Sequence, residues 1–333
     1  MIAAVLAASL GVASPSALPA QRTARATIGT VDTVRLWSQA LGTTKRLLVY
    51  RPPSYATSPT RRYPVLYALH GLRGTETHWA LQGRLPAVMD SLARAGRGEA
   101  IVVMPDGDDG WYSTWHTLPD IGACRRDTTR TEPAATYCVP WPHYDDYLAT
   151  DVVRHIDAAY RTRAARAHRA IAGLSMGGFG AITLALRYPE RFIAAASHSG
   201  VLVPRYLGPH PYAAPVRLAA TPGELRDAMG RMWWSVGPVF GPDTIGWARR
   251  EPAWLLTQAR ARGVLPELFV DCGTEDTLID QSRAFRARLL ADGVPHTYAE
   301  WPGAHDWAYW RAHVGESAAW LLARVTTRDQ RAR

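Results

Sequence analysis

A serine, a carboxylate and a histidine follow one another along this chain in an order suited to acyl transfer. The stretch Gly173-Leu174-Ser175-Met176-Gly177-Gly178 is a G-x-S-x-G sequence that closes the apolar run R-A-I-A-G-L and runs into G-A-I-T-L-A-L. Strand, sharp turn and helix are therefore expected in the order a nucleophile elbow needs. Glycines at 173 and 177 let neighbouring backbone approach closely, while the turn forces Ser175 into strained φ/ψ. The hydroxyl would then sit at a helix N-terminus, where backbone N–H groups and the dipole favour negative charge. The plain alternative is an ordinary glycine-rich turn, and the flanking strand and helix patterns argue against it.

A serine hydroxyl is too weakly acidic to attack unaided, so a base and an orienting acid must follow. Asp276, in D-C-G-T-E-D, is favoured as the acid over Asp271 at the strand end and the adjacent Glu275. His305, in W-P-G-A-H-D-W, is favoured as the base. The order Ser, Asp, His is that of α/β-hydrolases, not of chymotrypsin-like or subtilisin-like proteins. It excludes His198, in S-H-S-G, as the base and leaves it bordering the pocket; His296 is expected against the sheet edge. Oxyanion donors are expected at the backbone N–H of Met176 and of Leu72, which follows a strand end in A-L-H-G-L-R-G. His70 itself is read as structural.

These residues need a scaffold, and β-rich runs alternate with helical patterns from about residue 45 onward. Strands are expected over 46–50, 63–69, 100–104, 169–174, 192–196 and 266–270, and helices near 85–95, 145–160, 177–188, 278–291 and 306–324. Such alternation argues an α/β fold, a mostly parallel sheet with helices on both faces. Segments 106–143 and 201–250 interrupt it and read as loop insertions above the strand C-terminal ends, so a single domain over 21–333 is expected. Trp111, Trp115 and Trp307 fall where ligands bind in such sheets and are candidate stacking surfaces for sugar or phenolic rings. Trp310 and Trp320, on the last helix, are expected in the core.

With 333 residues, 47% hydrophobic and 20% charged, the chain is long enough for a full core and is neither disordered nor fibrous. The formal charge is +9, yet Lys45 is the only lysine and the arginines are scattered among acidic and apolar stretches. That pattern argues against a nucleic-acid partner. The opening run M-I-A-A-V-L-A-A-S-L-G-V-A, followed by small residues up to Ala20, has the form of a signal peptide over 1–20 and implies a secreted or periplasmic protein. It is too short to span a bilayer, and no integral membrane segment is expected. Cys124 and Cys138 bracket an aperiodic polar segment and in an exported protein would pair; Cys272 is expected to stay a buried thiol. No C-x-x-C or H-E-x-x-H spacing occurs, so neither metal nor organic cofactor is implied.

Six motifs taken together, L-H-G-L, P-D-G…W-Y, Y-D-D-Y, G-L-S-M-G-G-F-G-A, C-G-T-E-D and G-A-H-D-W-A-Y-W, make the chain resemble the esterase D-like family over roughly residues 40–325. That family includes S-formylglutathione hydrolases, feruloyl and acetylxylan esterases and mycolyltransferases. The resemblance implies an α/β-hydrolase fold and acyl-ester chemistry, with Ser175, Asp276 and His305 on the triad positions and Leu72 and Met176 on the oxyanion positions. The segment D-G-D-D-G-W-Y-S-T-W and the cysteine-bracketed insertion depart from an S-formylglutathione hydrolase. A secreted serine esterase acting on carbohydrate-linked acetyl or feruloyl esters is therefore expected. The alternatives are transfer of the acyl group to a sugar acceptor, or a non-catalytic carbohydrate-binding protein on the same fold.

Overall fold

The computed structural model describes residues 28–128, 134 and 137–326; the expected signal peptide and Arg328, Arg331 and Arg333 lie outside them. The described strands are β1 (Thr30–Ser38), β2 (Thr43–Arg51), β3 (Val65–Leu69), β4 (Ile101–Pro105), β5 (Arg169–Leu174), β6 (Ala194–His198), β7 (Tyr206–Gly208), β8 (Arg217–Leu218), β9 (Glu267–Gly273) and β10 (His296–Trp301). Eight of them form one sheet in the order β1-β2-β4-β3-β5-β6-β9-β10. Within that sheet only β1 with β2 and β2 with β4 pair antiparallel and the other pairs are parallel, while β7 and β8 form a separate antiparallel pair.

Strands β3, β4 and β6 are buried along their whole length, which is why they read as unbroken apolar runs without alternation. The helices Leu85–Arg94 and Trp307–Thr326 cover one face, packing Met89, Trp310, Val314 and Leu321 onto it. The other face carries Met176–Arg187, Pro252–Ala261 and Ile279–Ala291, with Phe179, Ile182, Leu256 and Phe285 in its core. From β3 the chain first goes to β4 on one side and then returns to β5 on the other. The ends of β3 and β5 therefore flank a topological switch point, where open α/β sheets bind ligands.

The differences from the expected elements have local causes. β1 precedes the region where alternation was expected to begin; its outward side is polar or exposed, and it is held as an edge hairpin by Ser38 Oγ and the Ala40 N–H, both donating to Asp151. β6 lies two residues later than expected, because the polar His198 is accommodated in the strand between Asp271 and Ser317. Trp320 is half-buried, not core, and donates its indole N–H to Thr297 Oγ1 on edge strand β10. His296 begins that same edge strand.

The two insertions pack on each other. His116 and Thr117 N–H groups donate to Val239 and Pro238 carbonyls, and the Arg250 guanidinium donates to Thr114 O. The first insertion carries a Cys124–Cys138 disulfide, and Cys272 is a buried free thiol whose pKa is pushed up by burial and by the Asp276 charge. Closing a loop of fifteen residues removes unfolded-state entropy worth about 3 kcal/mol. Cys124→Ser should therefore lower the unfolding free energy by up to about 3 kcal/mol, measured by urea unfolding without reductant; an unchanged midpoint would show that the bond stabilises nothing.

Candidate active site

Ser175 follows β5 directly at φ 54°, ψ −120°, and the helix Met176–Arg187 starts straight after it. Two glycines make this turn possible. A Cβ on Gly173 would stand 2.1 Å from the Gly177 carbonyl oxygen, and one on Gly177 would stand 2.4 Å from Leu69 O. The turn is held by the Ser175 N–H donating to His198 O and by the Phe179 N–H donating to Ser175 O. Met176 is the first residue of the helix, so helical geometry provides no carbonyl one turn back for its N–H.

The imidazole of His305 bridges the serine and a carboxylate. Its Nε2 lies 2.9 Å from Ser175 Oγ and its Nδ1 lies 2.8 Å from Asp276 Oδ2. Asp276 is buried, and its other oxygen accepts the Leu278 N–H at 2.8 Å. The His305 side chain keeps 30% of its surface exposed, so the site is open on the histidine side. The loops carrying the two residues are joined by backbone bonds, Thr274 N–H to Trp301 O and Glu275 N–H to Gly303 O. They meet so closely that a Cβ on Gly273 would lie 2.1 Å from Gly303 O. Trp310 stands edge-on to the His305 ring at 4.9 Å.

The competing residues are placed elsewhere. Glu275 is exposed. Asp271 is fully buried, with Oδ2 2.7 Å from His198 Nδ1 and Oδ1 accepting from Tyr309 OH. His198 does not border the pocket as expected; it is buried between Asp271 and Ser317 Oγ, which its Nε2 meets at 2.8 Å.

Leu72 lies in a turn at the end of β3, closed by the Gly74 N–H donating to Gly71 O. The turn abuts the serine, since a Cβ on Gly71 would be 3.4 Å from Ser175 Cβ. Of the tryptophans, Trp111 is fully buried with its indole N–H on Ser235 Oγ. It offers no surface to a ligand and belongs to the core, a correction to its expected role. Trp115 is half-buried against Tyr144 and borders a cavity of about 260 Å³ together with Asp109, Tyr137 and Trp234. Trp307 is half-buried and packs edge-on to Trp79 and Trp310.

A charged cluster that sequence reasoning missed lies beneath this turn. Lys45 Nζ is 2.8 Å from both Asp106 Oδ2 and Asp108 Oδ2, and Tyr144 OH donates to Asp108. Burial pushes the Lys45 pKa down, but the Asp108 and Asp106 charges outweigh it and hold the ammonium above its usual value. Burial would raise Asp106 as well, and the Lys45 charge holds it below the carboxylate range; Asp108, buried beside a second carboxylate, is raised. The available signal was a lone lysine in an arginine-rich chain and the D-G-D-D run, but no spacing linked the two. Among the described residues no group of histidine, cysteine and carboxylate side chains is arranged to hold a metal, and no helix is long and apolar enough to cross a membrane.

The mostly parallel sheet, with its strained serine between strand and helix, is that of an α/β-hydrolase. The chain belongs to the Esterase family, which it matches over residues 38–321. It is 30% identical over 288 residues to an esterase of Mycobacterium tuberculosis, covering 81% of this chain and 56% of the relative, so it spans about half the length of that protein. It is 21% identical over 263 residues to the acetyl esterase of Caldicellulosiruptor saccharolyticus, covering 77% of this chain and 82% of that one. A solved ferulic acid esterase aligns with a TM-score of 0.65 at 26% identity, over 90% of this chain and 99% of its own.

The cluster's pH behaviour follows from the directions of its shifts. The raised Lys45 pKa contributes stability that is present below about pH 10 and lost as pH rises through the folded value; the lowered Asp106 pKa contributes stability present above about pH 4 and lost on acidification. Lys45→Met removes the cation and leaves two buried carboxylates, at a cost of about 3–5 kcal/mol near neutral pH. In that variant the Lys45 charge that lowers both carboxylates is gone while the burial that raises them stays, so both pKa values move up and protonation relieves the deficit. Urea unfolding of variant and parent should show a smaller gap at about pH 5 than at about pH 8; an equal gap would rule out the charge account.

Proposed function

We propose that this chain is an exported serine esterase that hydrolyses carboxylic esters through an acyl-enzyme on Ser175. The reading is carried by one observation, the continuous contact from Ser175 Oγ through the His305 ring to Asp276. With Nδ1–H donated to the Asp276 carboxylate, the imidazole presents Nε2 as an acceptor for the serine proton. Ser175 Oγ then attacks the ester carbonyl carbon, its proton passes to Nε2, and the carbonyl oxygen becomes an oxyanion facing the Leu72 and Met176 N–H groups. Collapse of the tetrahedral adduct expels the alcohol, which takes the proton from Nε2. Water, deprotonated by the same nitrogen, then releases the acid and restores the serine.

The substrate class in this reading is an acetyl or feruloyl ester on a carbohydrate, supported by the activities for which the acetyl esterase and ferulic acid esterase relatives are named. Trp115, at the edge of the cavity beside the Leu72 turn, and Trp307, near His305, are the surfaces offered to a ring. Export is supported by the apolar leader and by the Cys124–Cys138 bond, since disulfides persist in oxidising compartments.

Turnover of p-nitrophenyl acetate tests the mechanism. Ser175→Ala and His305→Ala should each lower kcat by roughly 10⁴-fold or more, and the double variant should lose little beyond either, because the residues act as a unit. Independent, multiplying losses would sink the assignment. Asp276→Asn should cost up to about 10⁴-fold with folding intact; if Asp271→Asn were the more damaging change, the orienting acid would be Asp271. Product analysis with and without added sugar acceptors separates hydrolysis from acyl transfer.

A further inference from the structure

We propose that Asp109 is a positioning residue for this esterase: it fixes the turn that carries the Leu72 N–H, and so aims an oxyanion donor through the backbone. The inference rests on the reading of Ser175 as nucleophile and of Leu72 and Met176 as donors.

Arg73, the residue after Leu72, is held at φ 58°. A residue with a side chain keeps such a conformation only where its surroundings impose it. The Arg73 side chain is exposed, but its N–H donates to Asp109 Oδ1 at 2.6 Å. Two other groups of the turn are tied to the same segment. His70 O accepts from Tyr112 OH at 3.0 Å, and His70 Nε2 accepts the Gly107 N–H at 2.9 Å. Because Nε2 is an acceptor, the ring proton sits on Nδ1, which donates to Gly71 O at 2.8 Å. Gly107, Asp109 and Tyr112 all belong to residues 106–112, the stretch that follows β4.

That stretch is rigid enough to serve as a template. Asp108, Trp111 and Tyr112 all have positive φ, and Asp106 and Asp108 are clamped by Lys45 from β2. Tyr112 also lies against the serine's helix, where a Cβ on Gly180 would meet its ring at 2.4 Å. Residues 106–112 thus touch both the Leu72 turn and the helix that starts at Met176, and set the two donors relative to each other. Without the Asp109 acceptor, the Leu72–Arg73 peptide loses the hydrogen bond that fixes it and Arg73 is released from its positive φ. The turn loosens on that side even though Gly71 O stays held by the Gly74 N–H and His70 Nδ1 and the Arg73 guanidinium stays over the Trp234 ring. The Leu72 N–H, which belongs to the adjacent Gly71–Leu72 peptide, then loses its aim at the oxyanion, which exists only after attack, and ground-state binding is untouched.

The test is steady-state hydrolysis of p-nitrophenyl acetate, together with inhibition by phenylboronic acid, whose tetrahedral adduct on Ser175 uses the same donors. Asp109→Ala should lower kcat roughly 10- to 100-fold with KM within about twofold, and weaken boronate inhibition by a similar factor. Asp109→Asn keeps a side-chain oxygen acceptor and should recover most of the loss. A wild-type kcat in folded Asp109→Ala, or an equal loss in Ala and Asn, overturns the inference. If Asp109→Ala does not fold, Asp109→Glu takes its place, with the carboxylate kept but displaced by one methylene: a kcat loss at constant KM supports the inference, and a wild-type kcat overturns it. Ser175→Ala run alongside separates the two levels. If it stays active, the serine reading falls; if it is inactive while the Asp109 variants match wild type, only the present inference falls.

Discussion

The backbone of Ser175 is the constraint around which the rest of the molecule is arranged. At φ 54° and ψ −120° the residue occupies a region that costs of order 1–3 kcal/mol for any side chain. The turn survives because its surroundings leave it no alternative. Its N–H is tied to β6 through His198 O, and Gly177 rests against the carbonyls of Leu69 and His70. The same contact pins the end of β3, and with it the Leu72 turn, to the base of the serine's helix. Strain in one residue is thus balanced by burial of the central strands, and the balance places two loops from distant parts of the chain beside one hydroxyl.

The molecule contains the same three residue types twice, and the comparison separates composition from function. Asp271, His198 and Ser317 stand 2.7 and 2.8 Å apart in sequence of contact, much as Asp276, His305 and Ser175 do. Yet the first set is fully buried, and the Ser317 hydroxyl already donates to Val314 O inside its own helix. It joins the last helix to β6 and β9 and has no route to an ester. Ser175 stands instead at a turn between strand and helix, with an imidazole that solvent can reach. Access and local backbone geometry, not the identity of the side chains, distinguish the two trios.

What could be read in the sequence follows the range of the interactions involved. The strand–serine–helix unit is local, so its glycines and flanking apolar runs announce it, and β5 runs from Arg169 to Leu174 as its pattern suggests. The meeting of Asp276 with His305 was suggested by order and loop context, but the loop leaving β9 also offers Glu275, and burial of Asp276 against exposure of Glu275 is what separates them. The Lys45 cluster was not, since its three members come together only when β2 pairs with β4. Trp111 was misread for a related reason: an aromatic residue in a polar loop looks like a ligand surface until the second insertion folds over it and Ser235 takes its N–H. His198 was misread because its carboxylate partner lies on a neighbouring strand that is distant in sequence.

The burial of Lys45 has a practical corollary for handling the protein. Every other basic side chain is arginine, so the only lysine amine in the chain lies at zero exposure between two carboxylates. Amine-directed crosslinkers and dyes find no lysine to react with on the folded surface. A lysine-specific protease likewise has one cleavage site, on β2 one strand in from the sheet edge, and can cut there only when β2 comes away from its neighbours. The rate of that single cut is therefore a built-in gauge of how often the sheet opens, read from one band on a gel without any label.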